Sequence, residues 1–128
     1  MGLTSNLEKK ADRLVQQIVC AKGVCARCWS RYRVGGHHII KKSQCRGAFY
    51  PLRYELNNLV PLCGDHHIAA EEHEGEFMSW LKTYKRGELY QWHAQHVIPK
   101  EWNGTLRTTD FLQETIRRLK SIAGSLKP

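Results

Sequence analysis

Two short ligand pairs, Cys25-x-x-Cys28 and Cys63-x-x-His66, restrict the fold of this chain more than any other feature of it. A tight turn of that spacing aims two side chains at one point. Zinc takes four soft or borderline ligands at tetrahedral corners, so two such turns close its shell. A structural Zn²⁺ held by Cys25, Cys28, Cys63 and His66 is therefore expected. The competing reading, buried free thiols, is common for cysteine but suits tight Cys-x-x-Cys spacing in a loop poorly. The cysteine count is 5, an odd number, which speaks against a disulfide framework in a chain expected to be cytoplasmic. Cys20 could substitute as a ligand, but it falls at the end of an apolar helix face and reads as core. Cys45 lies in a polar loop beside Arg46 and has no assigned role.

The charge is uneven. The 128 residues carry a formal +8 with histidine neutral. From residue 22 to residue 54 the basic side chains Lys22, Arg27, Arg31, Arg33, Lys41, Lys42, Arg46 and Arg53 meet no Asp or Glu. From residue 55 to residue 77 the pattern reverses, with Asp65, Glu71, Glu72, Glu74 and Glu76 and no Lys or Arg. A basic stretch is either a solvated surface or a partner for a polyanion such as nucleic acid. Carboxylates beside histidines within a basic protein suit a divalent cation. No run of eighteen apolar residues occurs, so a membrane-spanning helix is excluded. Residues 1–10 lack the apolar stretch of a secretory signal.

Ser5 with Glu8 fits a capping box, and Leu7, Ala11, Leu14, Val15 and Ile18 recur at helical spacing, so a first helix is expected, ended by Gly23. Residues 24–43 read as a strand or hairpin arm, residues 44–55 as a loop broken by Gly47 and Pro51, and residues 59–62 as a second strand. From Asp65 the pattern turns helical through Trp80 and Leu81, weakened by Gly75. Residues 88–96 suggest a further helix stopped before Pro99. Asp110 with Gln113 is a plausible cap for a last helix with Phe111, Leu112, Ile116, Leu119 and Ile122 on one stripe. A lone histidine is usually a surface or core residue, and His93 and His96 read so. Trp80, Trp92 and Trp102 read as packing.

Between and beside the two half-sites lie His37-His38-Ile39, then Asn58-Leu59-Val60-Pro61-Leu62-Cys63, then His66-His67. In order and spacing, residues 25 to 67 resemble the zinc-bearing branch of the HNH endonuclease family. That branch reads Cys-x-x-Cys, then Asp-His or His-His before an aliphatic residue, then Asn-Leu-Val-x-Leu-Cys-x-x-Cys-His. The likeness runs more loosely to Phe77 and Trp80, in the manner of small phage and prophage nucleases. It does not cover the first helix or the chain after about residue 84.

The resemblance implies an α+β fold: a ββα-metal finger of short hairpin plus helix with structural zinc, flanked by N- and C-terminal helices. One domain, 1–128, is expected, with residues 1–23 as N-terminal helix, 24–84 as zinc-braced core and 85–128 as C-terminal helical extension. The implied activity is metal-dependent hydrolysis of DNA phosphodiester bonds. His38 would be general base, Asn58 the scaffold residue that aims it, and His37 and His67 ligands of a catalytic Mg²⁺ or Mn²⁺, other divalent transition metals being open. His66 stands where the family has a fourth cysteine, a workable exchange since Cys₃His sites are common.

The third catalytic-metal ligand departs from the family pattern. Glu71 follows His67 by four residues and shares its helix face; related proteins often carry histidine there. His73, six residues on, would serve only if the helix broke. Adjacent strand residues face opposite sides, so His37 and His38 are expected to share a site only through a twist or bulge. DNA would be met mainly through its phosphates, by Arg31, Arg33, Lys41, Lys42, Arg46 and Arg53. The alternatives are a non-catalytic zinc module that binds nucleic acid and an adaptor with a decayed HNH site.

Overall fold

In the computed structural model, which describes residues 2–95 and 107–126, the chain is α+β: five α-helices, short 3₁₀ helices and one two-stranded antiparallel sheet among those residues. The expected His96, Pro99 and Trp102 features lie outside the described residues. Helix α1 spans Leu3–Val19, strand β1 Gly35–His38 and strand β2 Leu59–Leu62. Helices α2 (Gly64–Glu72), α3 (Glu74–Leu81), α4 (Glu88–Gln95) and α5 (Thr109–Ser125) complete the order. No described helix is long and apolar enough to cross a membrane.

The register pairs Gly35 with Leu62, Gly36 with Pro61, His37 with Val60 and His38 with Leu59. Pro61 is tolerated because Gly36, its partner, turns its own polar groups to the free edge. There the Gln16 side chain of α1 receives them: Gly36 N donates to Oε1 at 2.7 Å, and Nε2 donates to Gly36 O at 3.3 Å. A Cβ at Gly36 would lie 3.1 Å from Gln16 Nε2 and from Leu59 Cδ2, so glycine lets helix and strand approach.

Two apolar clusters flank the sheet. Ala11 and Val15 of α1 meet Leu112, Ile116 and Leu119 of α5, with Tyr50, Tyr54 and Leu59. The second gathers Cys25, Val60, Leu62, Cys63, Ala70, Phe77 and Leu81 around the ligand pairs. The first and last helices thus form one packed pair beside the sheet. The stripe expected on α5 buries Leu112, Ile116 and Leu119, with Thr115 and Ala123 beside them.

Several local expectations are corrected. Ser5 sits inside α1, which starts at Leu3 without a side-chain cap, and Glu8 is buried rather than capping. It accepts from Tyr50 Oη at 2.5 Å and from the Arg107 guanidinium at 2.8 and 2.9 Å. A guanidinium fork repays a buried carboxylate better than one exposed amide. The helix ends at Val19 with Cys20 as its cap, ahead of Gly23. Only Gly35–His38 of residues 24–43 is strand. The segment read as loop contains the 3₁₀ helix Gly47–Tyr54, which accommodates Pro51 and turns Tyr50, Leu52 and Tyr54 inward. The helix after Asp65 breaks at His73 (φ −129°, ψ 62°), two residues before Gly75. The cap of α5 is Thr108, whose hydroxyl accepts from Phe111 N at 3.1 Å, in place of Asp110.

Candidate metal centres and the cleft beside them

The turn after Val24 and the start of α2 bring the four expected ligands together. Cys25 Sγ lies 3.6 Å from His66 Nδ1, Cys63 Sγ 3.4 Å from the same nitrogen, and Cys28 Sγ 3.7 Å from Cys63 Sγ. Corners of a tetrahedron around zinc stand about 3.8 Å apart for two sulfurs and about 3.6 Å for sulfur and nitrogen, from the usual bond lengths. The observed separations match these edges. The Cys₃His cluster therefore has the spacing and donor set of a structural metal such as zinc. Burial raises the Cys25 thiol, but backbone N–H groups of Cys63, Arg27 and Cys28 and the His66 ring outweigh it and hold it down to about 6, ready as thiolate. Cys20 and Cys45 take no part. Burial pushes the Cys45 thiol up to about 11, and its Sγ donates to the carbonyls of Lys41 at 3.4 Å and Ile40 at 3.7 Å.

A second cluster joins His37 of β1 to His67 and Glu71 of α2, with ligand atoms within 4.8 Å of one another. His67 Nε2 lies 3.6 Å from Glu71 Oε1. Two imidazole nitrogens and one carboxylate oxygen, with room beside them, fit a divalent cation that keeps open positions. His73, at the break between α2 and α3, stands outside the cluster. His37 is wedged edge-on between His67 and Phe77, with ring centroids 4.9 and 5.0 Å away. Burial, then the neighbouring His67, His38 and Lys41, push its pKa down to about 4, which leaves a neutral imidazole with a lone pair to offer.

A cleft of about 540 Å³ opens onto this cluster, lined among others by Gln16, His37, His38, Lys41, Lys42 and Ser43. His37 and His38 reach it without a bulge. The cleft follows the free edge of β1, where Gln16 docks, so side chains from both strand faces meet it. His38 is held differently from its neighbour: its Nε2 is 3.0 Å from the backbone carbonyl of Arg53. A carbonyl only accepts, so Nε2 carries the proton and Nδ1 keeps the lone pair. Burial lowers the His38 pKa, and the Arg53 carbonyl partly restores it.

Asn58 is wholly buried and ties that carbonyl's neighbourhood to the segment just after β1. Its Oδ1 accepts from Ile40 N at 2.7 Å, and its Nδ2 donates to Ile40 O at 3.1 Å and Leu52 O at 3.0 Å. Of the six expected phosphate contacts, Lys41 and Lys42 line the cleft. Arg31, Arg33 and Arg46 are exposed outside it. Arg53 is corrected: its guanidinium makes a fork to Asp12 at 2.6 and 3.0 Å and reaches Glu8 at 3.5 Å, so its charge is spent inside the protein. Asp12 and Gln16 were not anticipated, because on α1 they look like ordinary polar residues of an exposed helix face. Compared with family models, curated proteins and solved structures, the chain matches none.

Proposed function

We propose that the chain is a metal-dependent endonuclease of the HNH type, hydrolysing DNA phosphodiester bonds, in which β1, β2 and α2 form the ββα-metal finger. The observation that carries this reading is the pairing, in one cleft, of an oriented neutral His38 with the His37, His67 and Glu71 donors. His38 Nδ1 takes a proton from a water, and the water's oxygen attacks the phosphorus as the 3′ oxygen leaves. Mg²⁺ or Mn²⁺ held by His37, His67 and Glu71 would supply Lewis-acid stabilisation of the charge on the phosphate and leaving oxygen. Asn58 keeps the Arg53 carbonyl in place, and through it the tautomer of His38. Lys41 and Lys42 draw the phosphate backbone into the cleft.

Plasmid nicking in the presence of Mg²⁺ or Mn²⁺ tests this. His38→Ala is expected to abolish nicking while metal content and DNA affinity stay near those of the parent. Since burial holds the His38 pKa below its ordinary 6.5, activity should rise with pH and reach half its plateau below pH 6.5, as the base becomes neutral. Cleavage by His38→Ala at the parent rate would remove the base assignment. DNA binding without any nicking would instead favour a zinc module that binds nucleic acid and does not cut it.

A further inference from the structure

The turn that carries Cys28 presents Trp29-Ser30-Arg31-Tyr32-Arg33 to solvent. Trp29 is 74% exposed and Tyr32 60%, and every other aromatic side chain among the described residues is buried or half-buried. Neither is loosely hung. Trp29 N donates to Cys25 O at 2.9 Å, Cys25 N to Ser30 O at 2.8 Å, and Gly64 N to Tyr32 O at 3.1 Å, so the turn is laced to the zinc ligands and to the first residue of α2. Trp29 (φ 65°) and Arg33 (φ 50°) occupy the left-handed region, which side chains of this size rarely adopt. A bulky aromatic held there, facing water, is a costly arrangement of the kind found where a surface has a task.

The charge beside the rings selects the partner. Arg31 and Arg33 are exposed and form no ion pair among the described residues. The Arg33 guanidinium lies 5.5 Å from the Tyr32 ring centroid. No Asp or Glu stands anywhere from residue 22 to residue 54, so these alternating rings and arginines suit a polyanion that offers flat π-faces. In continuous duplex those faces are covered by neighbouring bases; in unpaired nucleotides they are open.

The position fits the cleft. A Cβ at Gly64 would lie 3.4 Å from Arg33 Cβ and 3.8 Å from Tyr32 Cε1, so this turn packs on α2 at Gly64. Gly64, His67 and Glu71 stand at i, i+3 and i+7, one face of α2.

We propose that Trp29 and Tyr32 are a stacking platform for unpaired nucleotides, with Arg31 and Arg33 on the adjoining phosphates, so that single-stranded or locally unpaired DNA is preferred over continuous duplex. The proposal rests on the nuclease reading for the cleavage step at the cleft, whereas the binding step is measured separately. The probe is a dye-labelled mixed-sequence oligonucleotide, free and annealed to its complement, titrated into zinc-loaded protein carrying His38→Ala. Trp29→Ala with Tyr32→Ala is expected to weaken single-strand binding at least tenfold, as the loss of stacked bases implies, and to change duplex binding less than about twofold. Trp29→Phe with Tyr32→Phe should recover most of the loss. Both pairs should melt at the parent temperature, since the side chains face solvent. Unchanged single-strand affinity, an equal loss on both probes, or a dimer that needs Trp29 while DNA affinity stays constant would overturn the platform. If the platform holds and the parent protein never nicks DNA, the nuclease reading alone falls; if the parent nicks and the alanine pair binds normally, the platform alone falls.

Discussion

Asn58 shows what one side chain can do when nothing else can replace it. With no exposed surface it satisfies the N–H and C=O of Ile40 and the carbonyl of Leu52. Asn58→Ala would leave these buried groups unpaired at about 1–3 kcal/mol each when no water replaces the amide. A loss of about 3 kcal/mol or more in urea unfolding is expected. Asn58→Asp should fare little better, because an ionised carboxylate cannot donate to the two carbonyls. A change under about 0.5 kcal/mol, the ordinary surface range, would refute the clamp. Glu71 and His73 form the second contrast at this scale. Glu71→Ala should raise the metal concentration needed for nicking by about ten- to a hundredfold, the scale of perturbed ligand shells, while His73→Ala should do little. Glu71→His should restore metal binding and shift preference toward Zn²⁺, Ni²⁺ or Co²⁺. A crippled His73→Ala beside a silent Glu71→Ala in metal-titrated nicking would reverse the ligand assignment.

At the level of elements, the two ligand pairs serve as a clasp. The sheet has only two strands, a size that is marginal without further support. Support reaches it on both edges: Gln16 on β1, and the knuckle turn on β2, where Ala26 N donates to Pro61 O at 2.8 Å. Stripping a bound metal such as zinc from the Cys₃His cluster with a strong chelator should therefore release the turn, β2 and the start of α2 together. Cys25→Ser should lower the melting temperature far more than Cys45→Ser, because a serine hydroxyl can keep the bonds that Cys45 donates to Lys41 and Ile40. Equal melting temperatures for the two variants would remove the clasp.

Across the whole molecule, α1 and α5 close over a polar network that reaches the cleft. Glu8 binds Arg107, Tyr50 and Arg53; Asp12 binds Arg53 and stands 3.4 Å from Lys42; and the Arg53 carbonyl holds His38. Hydrogen bonds from Arg107, opposed by burial and helped by Tyr50 and Arg53, hold the Glu8 carboxyl below its ordinary 4.5. His37 is held down at about 4 from 6.5. Both folded-state values are depressed, so each contributes stability above its unfolded pKa that is lost as pH falls. For His37, without a bound ion, the loss starts near pH 6.5, levels near pH 4 and reaches at most about 3 kcal/mol, at 1.36 kcal/mol per unit. Glu8 adds its share below pH 4.5. Urea unfolding of parent and His37→Asn, with zinc loaded and no other divalent ion, should give a difference curve that falls between pH 6.5 and 4. A flat difference would mean that His37 is not held neutral by the fold.

What the sequence determined by itself was local. The spacing of Cys25, Cys28, Cys63 and His66 limits what those side chains can jointly hold, and the geometry of one helix places His67 and Glu71 on the same face. A short apolar run marked β2 and helical apolar spacing marked the buried stripe of α5, because neighbours along one element have fixed relations. Tertiary structure decided everything that depends on elements meeting. It broke the helix at His73 and left that histidine outside the cluster. It drew Arg53 from an expected phosphate contact to Asp12, placed Gln16 on the free edge of β1, and oriented His38 with a carbonyl fifteen residues away. No spacing rule covers such pairings, because they depend on how α1, the 3₁₀ helix and the sheet pack, and packing compares buried area, satisfied polar groups and charge across the whole chain at once.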